Sequence, residues 1–80
     1  MTPQKDENLS PENLLREFEM ILALEEKAAQ TYHQLATDCD DAEARNLLFA
    51  ISRQENAHVE IAKNLVHLAS EWVQKNRGNA

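Results

Sequence analysis

The sequence predicts an all-α fold, an antiparallel two-helix hairpin that dimerises into a four-helix bundle. Three observations predict it. A single Gly and two Pro among 80 residues, with few β-branched side chains, favour helix over sheet. Two long stretches carry apolar residues at helical spacing and are separated by one short polar break. Each stretch also holds more apolar surface than one neighbouring helix can cover. With two Phe, one Tyr and one Trp as bulky core fillers, a lone hairpin of this size would be marginal, so a homodimer is the minimum expected assembly.

The elements follow in chain order. Residues 1–9 show no sustained periodicity and read as a flexible N-terminal arm. Ser10-Pro11-Glu12 then supplies an N-cap, a proline at the first helical position and an early acidic residue. The helix that starts there can run to about Ala36, roughly 40 Å at ~1.5 Å per residue. Thr37-Asp38-Cys39-Asp40-Asp41 interrupts the pattern as a turn. Asp40, with Glu43 three residues later, resembles an acidic capping box, which predicts a second helix from near Asp41 to about Lys75. The hairpin thus occupies residues 10–76, and residues 77–80 read as a flexible C-terminus. A turn this short makes the helices antiparallel neighbours.

Composition excludes several classes of function. No apolar run approaches the roughly 20 residues of a membrane-spanning helix, and the polar start from Met1 to Leu9 lacks the basic and apolar regions of a signal peptide. No membrane association is expected, and the expected location is the cytoplasm. A formal charge of −6 with no clustered basic face argues against nucleic acid. Cys39 is the sole cysteine, which rules out intrachain disulfides and thiolate zinc clusters.

Alternating steps of four and three trace an apolar seam on each helix. The first runs Leu14, Phe18, Ile21, Glu25, Ala28, Tyr32 and Leu35; the second runs Ala44, Leu48, Ile51, Glu55, His58, Ala62, Leu65, Ala69 and Trp72. Glu25, Glu55 and His58 interrupt these seams at positions where an unpaired charge would cost several kcal/mol. Glu55 and His58, three apart, project from one helix face. Glu25 lies fourteen residues before Cys39 and Glu55 sixteen after it, so the three side chains meet at one level of the hairpin. A single hairpin offers two carboxylates and one imidazole, and a two-fold partner doubles the set, which suits a di-metal carboxylate site in a four-helix bundle. Carboxylate oxygen with a minority of imidazole nitrogen favours iron, with manganese or zinc as alternatives. Ala28 and Ala62 leave room beside the ligands. Glu26 competes with Glu25 as a ligand; seam phase favours Glu25 and leaves Glu26 for a transit site on the approach to the metal. Tyr32 is expected as a core aromatic whose hydroxyl reaches a ligand carboxylate. His33 and His67 fall off the seams and are expected at the surface, and Trp72 is expected to cap the bundle end.

Glu25-x-x-Ala28-x-x-x-Tyr32-x-x-Leu35-Ala36, followed by Phe49-Ala50-Ile51 and Glu55-x-x-His58, resembles the rubrerythrin branch of the ferritin-like superfamily, in particular the short two-helix encapsulated ferritins. The resemblance spans about Leu14 to Trp72. It implies a ferritin-like bundle binding two irons per subunit pair through Glu25, Glu55 and His58 of each chain. It also implies ferroxidase activity serving iron storage or detoxification, and a ring such as a decamer. Full-length rubrerythrins carry a four-cysteine rubredoxin-like domain, and a chain with Cys39 alone is not expected to act as their peroxidase. Encapsulated ferritins carry a C-terminal extension that addresses them to an encapsulin shell. Without such a targeting tail in view, the encapsulin lumen is the alternative location. The competing functional expectation is a non-catalytic self-association module, stabilised by metal or plainly helical.

Overall fold

A computed structural model describes residues 10–78. The arm expected over residues 1–9 and the last two residues, Asn79 and Ala80, lie outside the described residues. Within them the chain forms two helices, α1 (Pro11–Asp38) and α2 (Ala42–Gly78), packed along each other as a hairpin.

The local chemistry of each terminus accounts for its position. Ser10 is extended, with φ −64° and ψ 149°, and its hydroxyl accepts from the Asn13 amide at 3.2 Å, while Pro11 sits where no intrahelical amide bond is needed. α1 ends as Cys39 turns to extended geometry and its amide donates to the Ala36 carbonyl at 3.2 Å. The second cap is one residue later than the sequence suggests. Asp41, not Asp40, caps α2: its Oδ2 accepts from the Ala44 amide at 2.8 Å and its carbonyl from the Arg45 amide at 2.8 Å. Glu43 therefore falls in the first turn at the wrong spacing for a capping box, although its charge still suits the helix N-terminus. Arg45 braces the turn by donating from Nη1 to the Cys39 carbonyl at 3.0 Å. α2 continues past Lys75 to Gly78, the first residue after Asp41 with a backbone suited to ending a helix.

The interhelical seam consists of small side chains. Ala29 and Ala36 of α1 and Ser52, Val59, Ala62, Ala69 and Val73 of α2 are buried. Such residues let two helix axes approach closely, and the heptad steps Ala29–Ala36 and Ser52–Val59 keep the contact on one face as the helices run together. Of the expected seam residues, Ala62 and Ala69 are buried here; the others are half-buried or exposed along one open side of the hairpin. Among the described residues no large side chain is fully buried. Ile21, Leu24, Leu35, Leu47, Ile61, Leu68 and Trp72 are between 41% and 67% exposed. At 13 Å the molecule is one helix layer thick, so the hairpin has a seam but no enclosed core.

Candidate metal centre

The small-residue seam brings α1 and α2 close enough for side chains beside it to meet. Glu25 approaches from α1, while Glu55 and His58 approach from successive turns of α2. One donor atom from each lies within 4.8 Å of the other two. His58 Nδ1 is 3.8 Å from Glu25 Oε1 and 3.8 Å from Glu55 Oε1. These distances are too long for hydrogen bonds. Donors held on one cation at about 2.1 Å lie roughly 3–4 Å apart, so a modest contraction would bring all three onto one ion.

Burial divides the cluster unevenly. The Glu55 side chain is 21% exposed, Glu25 28% and His58 56%. Glu55 Oε1 itself is shielded from solvent and has no hydrogen-bond partner. An ionised Glu55 therefore carries a buried oxygen without a donor, beside a second carboxylate. The Glu55 carboxyl is held above its ordinary value: first by a hydrogen bond that its proton makes to Glu25, then by burial and by repulsion from the Glu25 charge, with His58 pulling the other way. A cation would relieve both the missing donor and the repulsion. Ile21, Ile61, Ala62 and Leu65 wall the recess around Glu25 and His58 with apolar groups, which lowers the local dielectric and strengthens any interaction with charge.

No family model, curated protein or solved structure matches this chain.

Glu26 takes no part in the cluster. It lines a polar groove with Gln30, His33, Asn56, Glu60 and Lys63, and that groove shares no residue with the recess around Glu25 and His58. Tyr32 is half-buried. His33 and His67 are exposed, as their position off the seams implies; His33 meets Phe49 edge-on at 5.5 Å, and His67 Nε2 pairs with Glu71 Oε2 at 3.2 Å. Trp72, 47% exposed, lies toward the open end of the hairpin beside Leu14, Phe18, Leu65 and Leu68. Cys39 sits in the turn with Sγ directed to the Asp41 carbonyl at 3.6 Å. Among the described residues no helix is long and apolar enough to cross a membrane.

Sequence reasoning passed over Ser52. It is 4% exposed, and its hydroxyl donates across the seam to the Ala29 carbonyl at 3.1 Å. The signal was present: Ser52 begins the heptad series continued by Val59, Val66 and Val73, and is its polar member.

Proposed function

We propose that two copies of this hairpin pair through their open faces to form a ferroxidase, with Glu25, Glu55 and His58 of each chain binding ferrous iron as substrate. The observation that carries the proposal is the convergence of these three donors, one of them a shielded carboxylate oxygen with no partner, on a face rich in unburied apolar residues. The donor set fits iron: hard carboxylate oxygens and one imidazole, with no thiolate among them. Manganese and zinc are the alternative ions. The likeness of the Glu25, Ala28, Tyr32 and Glu55-x-x-His58 pattern to the encapsulated ferritins supports the same reading and suggests a role in iron storage or detoxification. A cytoplasmic location, the encapsulin lumen as its alternative, and a ring of dimers belong to that reading too.

The chain's contribution is charge and position. The raised Glu55 pKa means that cation binding competes with protonation of Glu55, and both carboxylates become ligands. Two carboxylates attract a trivalent ion about half again as strongly as a divalent one at equal distance, so the site favours the oxidised product. Four carboxylates and two imidazoles in a pair of chains can hold two irons side by side. Each ferrous ion loses one electron, and dioxygen takes up two electrons and two protons to leave as hydrogen peroxide. The apolar walls at Ile21, Ile61 and Leu65 restrict water around the reacting ions.

Anaerobic addition of ferrous iron to the metal-free protein, with size and bound iron followed by light scattering and metal analysis, should give about one iron per chain in a paired species. Admission of oxygen should then produce ferric absorbance faster than in buffer. His58→Ala should remove this turnover while leaving helicity unchanged. Turnover at the parental rate in that variant would eliminate the assignment. A second reading is favoured by the Glu25–Glu55 contact itself, because a proton held between two carboxylates can satisfy Glu55 without metal and fix the register of a plain helical module. Association and melting that ignore chelators would select it. Tight metal binding without turnover would select a metal-stabilised pair.

A further inference from the structure

We infer that Ser52 is a positioning residue for the three-donor cluster, setting the axial register at which Glu25 of α1 meets Glu55 and His58 of α2. Its metal readout rests on the function proposed above; its register readout does not.

The seam around the cluster is made of Ala and Val, whose contacts are non-directional, so away from the turn they do little to fix the axial register. Ser52 introduces direction. Its hydroxyl donates to the Ala29 carbonyl at 3.1 Å from a side chain that is 4% exposed, so a slip would leave a buried polar group without a partner. The two ends of this bond are close in sequence to the donors: Ala29 follows Glu25 by four residues, and Ser52 precedes Glu55 by three. The bond thus lies one helical turn from the level at which the carboxylates meet. A slip of one residue moves a donor about 1.5 Å along the axis. Metal–ligand distances are confined to about 0.2 Å, so such a slip dismantles the site. Ser52 also borders the polar groove with Glu26, Gln30 and Asn56 and not the recess of Glu25 and His58. Its hydroxyl bonds the α1 backbone and not a ligand, so it acts through the two helix backbones. A serine in a helix can otherwise spend its hydroxyl on its own preceding turn; here the hydroxyl joins the two helices of the hairpin.

The test compares the full chain with Ser52→Ala and Ser52→Thr, using cobalt(II) as the probe. Visible absorbance titration reads affinity and coordination geometry. Separately, in metal-free protein, the nuclear Overhauser contact between the Glu25 and Glu55 side chains reads register. Ser52→Ala should keep its helicity, weaken cobalt binding about fivefold or more, shift the visible band and weaken the Glu25–Glu55 contact. Ser52→Thr, which retains the hydroxyl, should restore both signals. Parental affinity, band and contact in Ser52→Ala would overturn the inference, as would a helical Ser52→Thr indistinguishable from Ser52→Ala. If the parent binds no cobalt, the metal reading fails and the contact decides the register role: loss confined to Ser52→Ala supports it, and retention overturns it.

Discussion

The proposed pairing through the open face makes Ile61 an informative residue to shorten. It is 58% exposed in the single hairpin and borders the recess that holds Glu25 and His58. Ile61→Ala removes three carbon atoms, each contributing about 0.8 kcal/mol when taken fully out of water. Scaled by the 58% still exposed in one chain, association would lose roughly 1.4 kcal/mol per copy. An isologous pair contains the residue twice, giving about 3 kcal/mol, or on the order of a hundredfold in the dissociation constant. Sedimentation over a concentration series, with and without divalent metal, measures that ratio directly. Gln30→Ala, in the polar groove on the other side, is the control and should leave association unchanged. The ratio separates pairing through this face from pairing elsewhere, because the hairpin's own seam holds little of Ile61. A dissociation constant for Ile61→Ala within about threefold of the parent in both conditions would refute open-face pairing.

Two further perturbations address the carboxylates and the turn. Glu55 binds its proton more tightly in the folded chain than at its ordinary value of 4.5. Across the window from 4.5 upward to the raised value, the folded state holds more protons than the unfolded one, so metal-free stability falls as pH rises. Glu55→Gln should flatten that dependence in urea melts at stepped pH and make the metal-free protein more stable at neutral pH. In the parent, cation affinity should rise with pH through the same window, since binding displaces the proton. At the turn, Asp41→Ala should cost about 1 kcal/mol and lower the melting temperature by roughly 4–8 °C, through loss of the bond to the Ala44 amide. Asp40→Ala should change stability by less than about 0.5 kcal/mol; the reverse order would assign the cap to Asp40.

The helix starts and the level of the donor cluster were legible because each depends on local spacing. Ser10-Pro11 specifies a start by backbone chemistry alone, and equal counting from the turn places Glu25 opposite Glu55. The phase of the interhelical seam was not legible from periodicity. Each helix carries an apolar arc broad enough for two neighbours, and steps of four and three fit either part of it. Side-chain volume separates the two: Ala29, Ala36, Ser52, Val59 and Val73 allow close approach, while Leu14, Phe18, Ile21 and Leu35 are too bulky for it and lie toward the open side. Asp40 and Asp41 are chemically equivalent as caps, and the choice between them was made by where the turn delivers the chain. Ser52 was missed because a lone serine in a helix is ordinarily a surface residue; its burial follows from a seam phase that periodicity did not select.

The apolar residues and the acidic cluster share one face, and they act in opposite directions on pairing. In the proposed pair, burial of Ile21, Ile61, Leu65 and Trp72 against a second copy would favour association. The same step takes two sets of Glu25, Glu55 and His58 out of water and brings four carboxylates together, which opposes it. In metal-free protein the opposition would be reduced only as far as protons held on the carboxylates neutralise the charge. Divalent cations bound there would neutralise it more fully and supply the missing partner of Glu55 Oε1. Metal binding and pairing must then be linked with one coupling free energy: the factor by which metal tightens the dimer is the factor by which dimerisation tightens metal. On the proposed function, a face built this way would make the chemistry depend on assembly, because an isolated hairpin leaves His58 more than half exposed and would supply half of the proposed ligand set.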